Sequence, residues 1–392
     1  MAAWDEFRRQ LGLLGRIALD TVLLATTPVA SQGSSVCIVR VDGIGDFVLW
    51  IDACRQLSAR YRGGGSRVVL VANASWAQWA RELELADEVW EFDRARFARE
   101  IRYRAHWIRK MRAAGFGAAV QPAHSRRPAE GDSLVRASGA PQRIGSAGDS
   151  INSPAWLKRW ADSWFTELIA CGSASRMELL RNADFMRGLG FAGYRARLPD
   201  LGARLQERPA RLARNGYAVL VPGAGHEMRA WPISSFAETG RRLAARGLGL
   251  VVVGGAGDRP AAQALLRELP GNVEDFTGRT TLGELAAILA GARLVVSNES
   301  GAAHMAAAAG TAVVCVMGGG HYGRFMPYEL EEHPGRKPVP IAVARKMDCF
   351  GCGWHCIYAR SPGEPVKCIK DVAFDQLWPQ VTACLALADS SP

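Results

Sequence analysis

The chain has 392 residues, 48% of them hydrophobic and 22% charged. That is too long for one ordinary core, comfortable for two α/β domains, and far from the composition of a disordered chain. The net charge of +10 comes almost wholly from arginine and is spread along the chain rather than gathered in a block. It therefore points to phosphorylated small molecules and an anionic membrane face, and away from nucleic acid. No run of uncharged apolar residues is long enough for a transmembrane span.

The first 33 residues form an N-terminal extension. Trp4, Phe7, Leu11, Leu14, Ala18 and Val22 recur at helical spacing with Arg8, Arg9 and Arg16 between them. This predicts an amphipathic helix that docks on its own domain or lies on a membrane interface. Asp5, Glu6, Arg16 and Asp20 argue against a secretory signal. After a flexible lead-in at 31–35, a fully buried strand is predicted at 36–40. A turn follows at 42–46, then a helix running from Asp46 towards Arg60. Further strands are expected at 67–72, 88–92 and 118–121, with helices between them, the alternation of a parallel sheet. The stretch 122–205 is rich in Arg, Pro, Gly and Ser and less legible. Its Trp156, Trp160 and Trp164, four apart, read as a core-packing stripe.

Alternation resumes with strands at 217–222, 249–253, 273–276, 294–297 and 313–317. Thr281 and Glu284 form a capping box for a helix from Leu282. Pro260 starts another helix in its first turn. A first domain thus spans 34–205 and a second 206–371, with a last segment at 372–392. The fold class is α/β, two Rossmann-like domains with parallel sheets.

Four loops at strand exits carry candidate chemistry, because ligands bind at that edge of open α/β sheets. In the first, Gly43 and Gly45 allow close backbone approach. Asp46, at a helix start, is either a cap or a base able to take a proton from a hydroxyl. A third glycine is missing, so the dinucleotide fingerprint is not met. In the second, Gly223, Ala224 and Gly225 precede Arg229, whose guanidinium can grip phosphate oxygens in a fork, while Trp231 packs and Pro232 opens the next helix. Gly254 and Gly255 follow the next strand and leave room for a ribose or base. At 297–304, a strand runs through Asn298, Glu299 and Ser300 into a helix starting at Gly301. Its free N–H groups suit phosphate, with Glu299 in reach of a ribose hydroxyl and His304 one turn on. Each of these loops also has a purely structural reading as an ordinary turn.

Taken together and in order, residues 38–46, 222–224 with 229–232, Gly254-Gly255, 276–278 and 297–301 with His304 resemble glycosyltransferase family 9, the bacterial lipopolysaccharide heptosyltransferases. The likeness runs from about residue 36 to about 385. It implies a GT-B fold, two Rossmann-like domains facing a central cleft, with a C-terminal helix in 372–392 crossing back to the first. It implies inverting, metal-independent transfer from a nucleotide sugar, ADP-heptose in the best-known members, onto an anionic glycolipid such as a lipopolysaccharide core. The enzyme would be cytoplasmic, either free or peripheral on the cytoplasmic face of the inner membrane. Asp46 matches the family's catalytic base. Arg229 matches a basic residue, usually Lys, that neutralises the donor phosphates. Gly223, Ala224, Gly225, Gly255, Ser300, Gly301 and His304 match the donor site. Glu299 stands where the family commonly has Asp. Gly45, Arg126, Arg127 and Arg143 are candidates to hold the acceptor, or are simply solvated. The alternatives are another donor sugar, a protein acceptor, a nucleotide-sugar epimerase of the same fold, or a binding module without catalysis.

Cys349, Cys352, Cys356 and Cys368 cluster in a Gly-rich stretch with His355. They are read as a structural zinc site or as reduced thiols packed in a loop. Catalysis itself calls for no cofactor. Cys37, Cys54, Cys171, Cys315 and Cys384 read as buried free thiols.

Overall fold

The computed structural model describes residues 2–172, 176–202, 205–212, 216–332, 335 and 337–389, with side chains at Trp4 and between 10 and 386. The chain divides into two units, one of residues 1–47, 52–174 and 181–194, the other of 48–51, 175–180 and 195–392.

The first unit is built on six strands: β1 (Val36–Arg40), β2 (Val68–Asn73), β3 (Glu88–Phe92), β4 (Ala118–Gln121), β5 (Gln142–Ser146) and β6 (Glu167–Ile169). They lie in the order β3-β2-β1-β4-β5-β6 with every pairing parallel. The second unit repeats the plan with β7 (Tyr217–Val221), β8 (Gly249–Val252), β9 (Val273–Asp275), β10 (Leu294–Asn298), β11 (Val313–Val316) and β12 (Ile341–Val343). Its order is β12-β11-β10-β7-β8-β9, again all parallel. Both orders are that of the doubly wound dinucleotide-binding fold, whose direction reverses between the first and fourth strands of each unit. β1, β7 and β10 are buried at every position. Helices on both faces of a sheet require such continuous apolar runs, and these made the strands legible. β5, β6 and β12, on the outer side of each sheet, were not anticipated. The helix expected from Asp46 towards Arg60 is two helices, Ile44–Val48 and Ile51–Gly63.

The capping box forms as expected: Glu284 N–H donates to Thr281 Oγ1 (3.2 Å) and Thr281 N–H to Glu284 Oε2 (2.7 Å). The tryptophan stripe does not. Trp164 is 7% exposed, but Trp156 and Trp160 are 46% and 43% exposed, because their helix, Ala155–Asp162, buries Leu157 and Ala161 instead. Phe374–Asp389 forms the last helix, and its Leu377, Val381, Cys384 and Leu385 pack into the second unit's core.

The N-terminal helix, Ala2–Thr26, docks on the first unit. The face it docks is not the predicted stripe. Ile17, Leu23 and Leu24 enter the core with Leu13 and Leu19 against it. Asp20, which breaks the apolar pattern, lies 1% exposed and accepts two 2.5 Å hydrogen bonds from Arg104. The predicted stripe points to solvent: Trp4, Leu11, Leu14 and Val22 are 58%, 51%, 39% and 61% exposed, and Ala18 is exposed too. The Phe7 side chain lies outside the described residues. Among the described residues, no helix is long and apolar enough to cross a membrane.

Candidate functional site

In the second unit, β7 and β10 are neighbours at the reversal point, so their exit loops share one edge of the sheet. Asn298, the last residue of β10, fixes them together. Its Nδ2 donates to Pro222 O (2.8 Å), and its Oδ1 accepts from Trp231 N–H (2.9 Å). Trp231, 1% exposed, donates its indole N–H to Val372 O (2.9 Å) and so anchors the far end of the loop. Asp258 braces the next loop by accepting from Gly255 N–H (2.8 Å). A Cβ at Gly223 would lie only 2.2 Å from the Asp258 carboxyl carbon. Gly223 is thus required for close packing.

Arg229 folds back over the turn made by Gly225, whose φ is +65°; a Cβ there would lie 3.3 Å from Arg229 Nη2. The guanidinium also stands 5.4 Å from the Trp354 ring centre. Glu299 is 8% exposed, and its Oε2 has no hydrogen-bond partner. Burial pushes its pKa up to about 7, with Arg229 and Arg324 pulling the other way. A buried polar atom without a hydrogen-bond partner is uncommon in a folded chain. His321 belongs to the same group: burial, then Arg324 and Arg229, lower its pKa to about 4. Arg324 and His321 were missed in the sequence. The available signal was the glycine run 318–320 at the exit of β11, the same sheet edge.

Ser300 precedes the helix Gly301–Ala308, and its Oγ lies 3.2 Å from Ser297 Oγ. The helix start presents unpaired N–H groups. His304 lies 3% exposed with Nδ1 2.7 Å from Tyr328 Oη. Burial lowers its pKa to about 4 from an ordinary 6.5, so it offers a hydrogen bond and not a charge. Between those values the unfolded chain takes up a proton that the folded one refuses. Stability from this group is complete above pH 6.5 and is lost as pH falls towards 4, by up to about 3 kcal/mol. In melting curves taken across this range, His304→Gln is expected to lose that part of the acid slope. An unchanged slope would mean that the imidazole is solvated.

In the first unit, loop 41–46 leaves β1 at its reversal point and is clamped from β2 onwards. Asn73 Nδ2 donates to Val41 O and Trp76 Nε1 to Asp42 O, both at 2.9 Å. Arg40, 1% exposed, pairs with Asp42 (2.9 Å) and donates to Asp46 O (3.4 Å). The Asp46 carboxylate lies over Gly43, 3.7 Å from where a Cβ would stand. Arg127 is within electrostatic reach: burial lowers its pKa, and Glu130, Asp42 and Asp46 oppose that shift. Arg94, paired with Glu130 at 2.6 Å, is a further cation of this edge. Its position just beyond β3 was the signal.

Two of the three arginines that were candidates to hold the acceptor lie away from Asp46. Arg126 is 2% exposed, ion-paired to Asp132 (2.9 Å) and to Asp162, and stacked on Phe165. It is buried away from solvent and held by these partners. Arg143 pairs in register with Ala119 near the start of β4. Asp46 follows the end of β1 in the same parallel sheet, so Arg143 sits at the opposite edge.

Of the two readings of the cysteine cluster, the structure does not show the zinc site. Cys349, Cys352, Cys356 and Cys368 line one small cavity. Yet among the described residues no group of three or more His, Cys, Asp or Glu is placed to hold a metal ion. Cys368 Sγ instead accepts from Gly319 N–H at 3.4 Å. All nine cysteines are free thiols, and Cys37, Cys54, Cys171, Cys315 and Cys384 are buried.

Comparison with known proteins agrees with this architecture. The lipooligosaccharide heptosyltransferase 2 of Haemophilus influenzae is 27% identical over 120 residues, 29% of this chain. That stretch spans 35% of the relative's own length. The solved Escherichia coli heptosyltransferase WaaC with ADP-2-deoxy-2-fluoro heptose matches with a TM-score of 0.63 at 17% identity, over 89% of this chain and 99% of that one. The iron-containing dodecameric glycosyltransferase TibC of enterotoxigenic Escherichia coli matches with a TM-score of 0.53 at 13% identity, over 93% and 82%. These likenesses identify the fold as GT-B. The family model for glycosyltransferase family 9 (heptosyltransferase) covers residues 134–336, more than half of the chain. With two six-stranded parallel sheets and glycine-rich exit loops at both reversal points, the chain belongs to glycosyltransferase family 9.

Proposed function

We propose that the protein is an inverting glycosyltransferase that moves heptose from ADP-heptose onto a lipopolysaccharide core or a related envelope glycolipid at the cytoplasmic face of the membrane. The observation that carries this reading is the second unit's exit edge. There Arg229 and Arg324 stand within electrostatic reach of Glu299, whose Oε2 has no hydrogen-bond partner, beside a helix start. As the glycosidic bond breaks, negative charge collects on the departing nucleoside diphosphate. Arg229, Arg324 and the N–H groups at Gly301 supply fixed positive charge there, so no divalent metal is required. Glu299 accepts a hydrogen bond from a donor hydroxyl. Neutral His304 adds a hydrogen bond and no charge. Gly223, Ala224, Gly225 and Gly255 let the backbone come close to the nucleotide. In the first unit, Asp46 takes the proton of the acceptor hydroxyl. The oxygen attacks the anomeric carbon from the face opposite the leaving diphosphate, which inverts that centre. Gly45 leaves room for the acceptor, and Arg127 and Arg94 draw in its phosphate groups.

The test is a melting screen with ADP-, UDP-, GDP- and CMP-sugars, followed by transfer to a heptose-free core acceptor with and without a chelator. ADP-heptose at about one hundred times its dissociation constant is expected to stabilise the protein by about 2.7 kcal/mol, and transfer is expected to survive chelation. Stabilisation by another nucleotide sugar alone would replace the donor. Consumption of ADP-heptose without an acceptor would replace transfer by epimerisation.

A further inference from the structure

Beside the N-terminal helix, at the sheet edge opposite Asp46, lies a pocket lined by Thr21, Ala25, Arg112, Arg136, Arg143 and Trp164, among others. Its three arginines are held in place by neutral groups. Arg112 Nη2 donates to Leu24 O (2.6 Å), Arg136 Nη1 to Thr21 Oγ1 (3.1 Å), and Arg143 Nε to Trp164 O (2.6 Å). Arg136 also stacks on Trp164, 4.8 Å from the ring centre. Among the described residues, none of the three is ion-paired to a carboxylate. Asp20, the acid that acts on Arg136, is already held by Arg104. Burial lowers the pKa of Arg136, Asp20 opposes that shift, and Arg112 adds to it. Three cations at one mouth with no anion among them form a site for a multiply charged oxyanion.

The pocket adjoins an uncovered apolar face. At 100° per residue, Trp4, Leu11, Leu14, Ala18, Val22 and Ala25 fall on one side of the helix, and Ala25 also lines the pocket. No charged residue interrupts this stripe. On the pocket's other side, Trp160, 43% exposed, packs edge-on to Trp164 at 5.5 Å. Apolar helix face, basic pocket and exposed tryptophan are the three components of an interfacial membrane contact. A second copy of the chain fits poorly, since self-association through this face would set like charges together.

We infer that the outward face of the N-terminal helix and the Arg112–Arg136–Arg143 pocket together dock the first unit on a bilayer, the stripe entering the headgroup boundary and the pocket taking the phosphate of an anionic lipid. This surface is separate from both exit edges and does not depend on the donor or acceptor assigned to them.

Co-sedimentation of the full chain with phosphatidylcholine vesicles, with and without phosphatidylglycerol, tests it. The parent is expected to bind the anionic vesicles and hardly the neutral ones. Arg136→Gln is expected to weaken that binding about five-fold. The pair Leu11→Glu and Val22→Glu is expected to weaken it more than about ten-fold with an unchanged melting midpoint, since both positions are already solvated. If the acidic pair lowers the melting midpoint, Leu11→Ser with Val22→Ser serves instead. Equal vesicle binding by all variants would overturn the inference. So would a melting shift with inorganic phosphate, abolished by Arg136→Gln, in a protein that ignores vesicles; that result would assign the pocket to a soluble anion. A dimer in sedimentation equilibrium that the acidic pair dissolves would assign the face to self-association and overturn it equally.

Discussion

Asp46→Asn is expected to lower kcat for sugar transfer by about 10³-fold, within the 10²–10⁴ range typical of a lost general base, and to leave KM for the donor nearly unchanged. Asn keeps the size and the capping ability of the native residue at the first turn of Ile44–Val48. It cannot take up the acceptor's proton. Arg40, Asn73 and Trp76 hold the surrounding loop through its backbone carbonyls, and Asn keeps a polar side chain of the same size, so the variant should keep the fold. The measurement is a kcat and KM pair with a melting curve alongside. Transfer within about three-fold of the parent would reduce Asp46 to a helix cap. A fall in the melting midpoint together with kcat would make its role structural.

Asp20→Ala is expected to destabilise the first unit by about 3–5 kcal/mol, because it strands a buried guanidinium. Arg104 is 1% exposed. Its guanidinium reaches Asp20 twice and also donates to Phe97 O and Ala129 O, with the Phe97 ring 4.1 Å below it. Those carbonyls hold the charge in place but cannot neutralise it. Replacing both partners, Asp20→Leu with Arg104→Met, is expected to recover most of the loss, as apolar replacement of a buried pair commonly does. Denaturant midpoints of the parent, the single variant and the double variant check this. A loss below about 1 kcal/mol for Asp20→Ala would mean that the pair is solvated and that the helix is held by apolar contact alone.

Much of the donor edge could be read from residues close in sequence. Buried strands such as 217–221 and 294–298 announce themselves as unbroken apolar runs. Glycines and a lone Arg229 after such a strand need no partner from afar to suggest phosphate. The capping box of Thr281 and Glu284 is likewise complete within four residues. Arg324 and His321 were harder, because what makes them part of the site is the charge of Arg229, nearly a hundred positions earlier in the chain. The arginines of the first unit were harder still. Arg126, Arg127 and Arg143 are alike as letters. One is consumed by Asp132, one stands near Asp46, and one lies at the opposite sheet edge.

The sequence by itself determined the doubly wound alternation, the exit loops that carry Asp46, Arg229 and Glu299, and a helical N-terminus. Each of these depends on periodicity and turn chemistry within a few residues. Only the tertiary structure decided which face of that helix is covered. Both faces carry apolar residues, and the choice between them was made by Asp20 finding Arg104, eighty-four positions away. Burial of an ion pair is a property of two distant positions at once, and no local pattern encodes it. Its consequence is that Leu11, Leu14 and Val22 remain in solvent beside three uncompensated arginines.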